Sequence, residues 1–135
     1  MSDFQLDPRL EAGSEWVADL ALCTLRLKDD ARFPWLLLIP RRSEITEIYD
    51  LPPEDQRLMW EETTRMGKVL MRVCGGDKLN LGALGNVVPQ FHMHLISRRE
   101  GDAAWPGPVW GVGTSEPYLP ERLEEILSAI RAEVA

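Results

Sequence analysis

Gln90-Phe91-His92-Met93-His94-Leu95-Ile96 alternates polar with apolar side chains and holds both histidines of the chain. On a β-strand, successive side chains point to opposite faces, so residues two apart share a face about 6–7 Å apart at Cα. The alternation predicts a strand over residues 89–98. Gln90, His92 and His94 would line one face, and Phe91, Met93 and Leu95 would feed a core on the other. Solvent-facing strands show the same alternation, so the pattern speaks first about fold. Its chemistry lies in the residue types. An imidazole with one nitrogen held and the other free is a nucleophile, and a second imidazole beside an amide can hydrogen-bond an anion. A His-x-His pair can also ligate zinc, with Cys or carboxylates supplying further ligands from elsewhere.

Working back from this segment, Lys78 to Ala83 is strand-like and Gly85-Asn86 reads as a turn or bulge. Before that, Pro52-Pro53-Glu54-Asp55 has proline and acids suited to a first helical turn. Leu58, Glu62, Met66, Val69, Leu70 and Val73 then recur at near-helical spacing, with Glu62 the polar exception, up to Gly75-Gly76. Pro34 to Pro40 is an apolar run bounded by prolines and predicts a buried central strand. Ala21 to Lys28 alternates, with Cys23, Leu25 and Leu27 on one side and Thr24, Arg26 and Lys28 on the other. It pairs with the central strand as a hairpin through Asp29-Asp30-Ala31-Arg32. Residues 15–20 have weak helical character. Downstream, a Gly- and Pro-rich loop runs from Glu100 to Tyr118. Pro120 then opens a helix with Leu123, Ile126, Leu127 and Ile130 on one face. This order lacks a βαβ rhythm. It predicts an α+β fold with a mainly antiparallel sheet of about five strands, one long helix and a C-terminal helix.

At 135 residues the chain fits one domain, 1–135, long enough to bury a core. The net charge of −7 argues against a protein that coats nucleic acid. Trp35 to Ile39, the longest apolar run, is too short to span a bilayer, and no signal peptide is visible, so no membrane partner is expected. Cys23 and Cys74 are too few for a disulfide framework, which makes a reducing, cytoplasmic setting the default. Both read as small buried hydrophobes. Charge is unevenly spread: residues 63–99 carry six bases and one acid, whereas residues 43–62 carry seven acids and one base. The histidine segment thus lies in a locally basic stretch, which suits a small anionic ligand better than a polymer.

Gln90 to Ile96 resembles the histidine triad (HIT) signature, His-φ-His-φ-His-φ-φ with φ apolar, with Gln90 in place of the first histidine. Pro34-Trp35-Leu36-Leu37-Leu38-Ile39-Pro40-Arg41 resembles the family's early hairpin. Leu79-Asn80-Leu81-Gly82 followed by Gly85-Asn86 resembles the strand and turn before the triad. Arg98-Arg99-Glu100-Gly101-Asp102 is similar to the Fhit-like branch, and Trp105-Pro106-Gly107 to the Hint-like branch. The likeness covers about residues 20–112 and is that of a bacterial-type HIT protein.

The resemblance implies a homodimeric nucleotide hydrolase or transferase acting on a purine-nucleotide-like small molecule. A phosphoramidate or a dinucleoside polyphosphate would be cleaved at the α-phosphate through a nucleotidyl-histidine. His92 would be the nucleophile, His94 would contact phosphate or leaving group, and Gln90 would occupy the first histidine's place. Asn80 would bind phosphate or ribose, Asn86, Val87 and Val88 would line the phosphate pocket, and Asp29 or a neighbour would contact ribose. No cofactor or metal is implied. Because Gln90 cannot titrate, a nucleotide-binding module with little or no catalysis is the rival reading. Trp35 would either pack in the core or face a base. Trp105 and Trp110 would either cover the ligand or serve structure alone.

Overall fold

The computed structural model describes residues 3–135. A short helix α1 (Pro8–Ala12) leads into β1 (Ser14–Asp19), β2 (Cys23–Lys28) and β3 (Trp35–Pro40). The long helix α2 (Pro53–Cys74), then β4 (Lys78–Gly82), β5 (Met93–Arg98) and α3 (Pro120–Val134) complete the order. The strands form one antiparallel sheet in the order β1-β2-β3-β5-β4. This is the expected α+β architecture.

Both faces of the sheet are covered, by different material. On one face, Leu25, Leu27, Leu36, Leu38, Met93 and Leu95 pack against Met59, Met66 and Leu70 of α2 and Ile126, Leu127 and Ile130 of α3. Helix α2 starts with Pro53 in its first turn and ends at Gly75, whose φ of 70° favours glycine. Glu62 breaks the apolar stripe for a reason: its carboxylate accepts from the backbone N–H of Leu22 (2.8 Å) and Cys23 (2.9 Å). That carboxylate holds the turn into β2. On the other face, Trp35, Leu37, Ile39 and Ile96 are covered by Leu10, Phe33 and Val109. This cover comes from the N-terminal segment, the β2–β3 connection and the long loop after β5.

Two expectations are corrected. Residues 15–20 lie in and just beyond β1, with no helix. Trp16 pairs with Arg26 and Ala18 with Leu25, so Val17 is the extra residue of a bulge. The bulge buries Ser14 and Val17, three apart, which mimics helical spacing. The histidine strand begins at Met93 rather than Pro89. The ladder runs out there on both sides: the last pairs are Leu38 with Met93 and Gly82 with His94. Phe91 instead donates its N–H to Ile45 (2.9 Å).

Candidate active site

His94 lies within β5 and His92 just before it. Their ring centroids are 4.7 Å apart, and both side chains are buried. The partners of each ring determine its tautomer. Nδ1 of His92 lies 2.7 Å from the backbone carbonyl oxygen of Gln90. A carbonyl only accepts, so Nδ1 carries the proton and Nε2 keeps its lone pair. Nδ1 of His94 accepts from the indole Nε1–H of Trp35 at 3.0 Å. An indole only donates, so in neutral His94 the proton sits on Nε2. The pair therefore offers one Nε2 that attacks and one Nε2–H that donates.

Both rings stay neutral at pH 7. Burial lowers the pKa of His92 below the usual imidazole range, outweighing the hydrogen bond to Gln90; the Lys28 ammonium lowers it further. Burial also drives His94 down to about 3, with His92 and Lys28 adding to the effect.

His94 lines two chambers, and His92 lines one of them. One, of about 370 Å³, is lined by Leu84, Gly85, Asn86, Val87, Val88, His92, His94 and Trp110. The other, of about 250 Å³, is lined by Lys28, Asp30, Arg32, Trp35, His94, Trp110 and the Gly111–Gly113 turn. Trp110 stands at their junction, 5.3 Å from His94 and 6.4 Å from Trp35 between ring centroids. It fits there because Gly82, the β4 partner of His94, has no side chain: a Cβ would lie 3.2 Å from the Trp110 ring. Among the described residues, the indole N–H of Trp110 is buried without a hydrogen-bond partner.

The positions expected in the site divide into two groups. His92, His94, Asn86, Val87 and Val88 come together around the first chamber. Among the described residues, the Asn86 side chain and the backbone N–H groups of residues 86–88 make no hydrogen bond, so this turn presents free donors. Gln90, Asn80 and Asp29 turn elsewhere. The Gln90 side chain accepts from the N–H of Asp7 (2.8 Å) and donates to the carbonyl of Gln5 (2.9 Å), so it fastens the N-terminal segment and does not join the histidine face. Asn80 shares that sheet face but accepts from Arg98 at 2.9 Å. Asp29 accepts from the N–H of Tyr118 at 2.8 Å, and its neighbours Lys28 and Asp30 line the cleft instead.

The basic stretch lends the site little of its charge. Arg98 is almost fully buried and makes a bidentate pair with Asp102 at 2.8 and 2.9 Å. That guanidinium holds the Asp102 carboxyl well below the usual range. Asp102 also accepts from the N–H groups of Ala104 and Trp105, so the pair folds the start of the loop that delivers Trp110. Arg65 and Arg72 reach α3. Among the described residues no group of three His, Cys, Asp or Glu is placed to hold a metal ion, and no helix is long and apolar enough to cross a membrane.

A HIT domain family model matches residues 9–101, more than half of the chain. The chain belongs to the HIT family. A histidine triad protein from Sinorhizobium meliloti is 44% identical, with TM-score 0.94 and 97% of each chain covered. One from Bradyrhizobium japonicum is 41% identical, with TM-score 0.96 and 98% of each chain covered. One from Marinobacter aquaeolei is 42% identical, with TM-score 0.93, covering 96% of this chain and 95% of that one. A comparison with curated proteins finds no significant match. HIT proteins are generally nucleotide-binding hydrolases and transferases. In this HIT chain, sequence reasoning missed that Trp35 donates to His94, that Lys28 lines the cleft and that the Asp7 N–H engages the Gln90 side chain. Lys28 was visible as the last member of the Thr24-Arg26-Lys28 row, and Trp35 as the residue opening the central strand.

Proposed function

We propose that the protein is a nucleotide hydrolase or transferase that works at an α-phosphate through a nucleotidyl-histidine at His92. The observation that carries this reading is the pair of opposed, fixed tautomers. Nε2 of His92 attacks phosphorus while the bond to the leaving group breaks, and the leaving group takes the electron pair. Nε2–H of His94 and the free N–H groups of residues 86–88 meet the charge developing on the phosphoryl oxygens. Water then attacks phosphorus, the electron pair returns to Nε2, and a nucleoside monophosphate leaves.

Gln90 is compatible with this chemistry because its backbone carbonyl, not its side chain, sets the His92 tautomer. The substrate is a phosphoramidate or a dinucleoside polyphosphate in a cytoplasmic setting. The homodimer expectation draws support from β4, an edge strand with Leu81 half exposed.

The test is a substrate panel of both classes read by nucleoside monophosphate release, with His92→Ala as control. The expected result is release by the wild type and a loss of about 10⁴-fold or more in the variant. Near-wild-type release by His92→Ala would sink the mechanism. Nucleotide binding without release by the wild type would leave a binding module.

A further inference from the structure

Lys28 ends β2 on the sheet face that carries Trp35 and His94. Its ammonium nitrogen stands 5.1 Å from the centroid of the Trp35 ring, and that same indole donates to His94. The neighbouring cations are committed. Arg32 spends Nε and Nη2 on Asp30 and Nη1 on the carbonyl of Val112. Arg26 is bound to Ser14 and to the carbonyl of Glu11, and Arg9 to Asp7 and the carbonyl of Val87. Lys28 has no carboxylate within 4.0 Å among the described residues, although acids outnumber bases in the chain 22 to 15.

An ammonium held over an indole face without a counter-charge within 4.0 Å among the described residues is a vacant anion partner. It lines the chamber that shares His94 and Trp110 with the one formed by the Asn86 turn. The cleft is thus asymmetric. Backbone donors line one chamber beside His94, and one uncommitted positive charge lines the other.

We propose that Lys28 binds the anionic leaving group, and that the site therefore favours phosphoanhydrides over phosphoramidates. The inference rests on the His92 mechanism above and names its substrate class. When Nε2 of His92 attacks, the P–O bond breaks and the electron pair stays on the departing phosphate oxygen. The added negative charge falls beside the Lys28 ammonium. Water then opens the P–N bond, its oxygen joins phosphorus, and the surplus proton passes to solvent. An amine leaving group takes a proton from solvent as its P–N bond breaks, departs neutral and gains nothing from Lys28. Burial alone is the main cause that keeps His92 neutral, and this ammonium only adds to it, so the nucleophile persists without Lys28.

The experiment compares wild type, Lys28→Met and Lys28→Arg on a dinucleoside polyphosphate and on adenosine 5′-phosphoramidate, with His92→Ala as control. Methionine keeps an apolar stem over Trp35. The expected result is a 10- to 100-fold loss of kcat/KM for the polyphosphate in Lys28→Met, a change within about threefold for the phosphoramidate, and recovery in Lys28→Arg. Removing the cation should also raise the His92 pKa in an NMR titration, which a purely structural role would not do. Equal losses on both substrates, or none, with His92→Ala inactive, would overturn the Lys28 proposal alone. Activity in His92→Ala would overturn the mechanism beneath it. Should turnover be too slow to compare, calorimetry with inorganic tripolyphosphate decides: weaker binding by Lys28→Met supports the proposal and unchanged binding overturns it.

Discussion

The two faces of the sheet bury their side chains by different means. The helix face is aliphatic, and its one carboxylate, Glu62, is satisfied by two backbone N–H groups. The other face buries two histidines, Arg26 and Arg98 beside its aromatic rings. Aliphatic burial is non-directional and tolerates small rearrangements. Buried polar groups require particular partners at particular distances, and leaving one unpaired is costly. The first face thus supplies cohesion. The second spends part of it to hold imidazoles in set tautomers next to a cleft.

The largest stability effect that sharpens this contrast should come from Arg98→Ala. It strips Asp102 and Asn80 of their partner and frees the loop carrying Trp110. A loss of about 4 kcal/mol is expected for breaking so buried a pair, measured by urea unfolding, together with a loss of turnover. Leu38→Ala on the helix face should cost about 3 kcal/mol and leave kcat/KM unchanged at temperatures where the protein stays folded. If Leu38→Ala altered kcat as much as Arg98→Ala does, the division of labour between the faces would fail.

The pH dependence should report on the polar face. His94 is held near 3 when folded and titrates near 6.5 when unfolded, so the unfolded chain binds more protons between those values. Stability should be full above about 6.5 and decline as pH falls toward 3, by on the order of 2 kcal/mol at pH 5. His94→Gln should flatten that slope in urea midpoints measured from pH 7 to 4. Trp35→Phe keeps the ring but removes the N–H, so His94 should no longer hold one tautomer. A drop in kcat of about tenfold is expected, with a mixed His94 tautomer by ¹⁵N NMR. Smallest of all should be Gln90→His, within about threefold in kcat/KM, because the Gln90 carbonyl is unchanged by substitution of its side chain. A larger effect there would show that tethering Gln5 and Asp7 matters to the chemistry.

Much of the fold was legible from period alone. The Cys23–Lys28 and Trp35–Pro40 strands, α2 and α3 appear close to where alternation, apolar spacing and proline-glycine punctuation put them. Residues 14–19 escaped because a bulge changes the period, and the start of β5 escaped because the end of a ladder depends on its neighbours. In the site, His92 and His94 were readable as a pair because strand geometry ties i to i+2. Asn86 to Val88 came only from the likeness of this stretch to the strand and turn before the HIT triad. Gln90, Asn80 and Asp29 were readable as polar residues near the site, but which partner each would choose was not.

The amino-acid sequence by itself determined the α+β class, the face that packs on the helices and the presence of two imidazoles side by side, since these follow from local periodicity and residue type. Only the tertiary structure decided which nitrogen of each histidine bears the proton, and it did so through Trp35, 59 residues away, and the Gln90 carbonyl. It also decided which cation faces the cleft. The basic stretch around the histidines suggested a small anionic ligand. Yet Arg98 is consumed by Asp102, and the charge comes from Lys28 on a strand two places along the sheet. Charge counted along a chain does not survive folding, because each buried ion is neutralised by whichever partner the packing brings within hydrogen-bond reach.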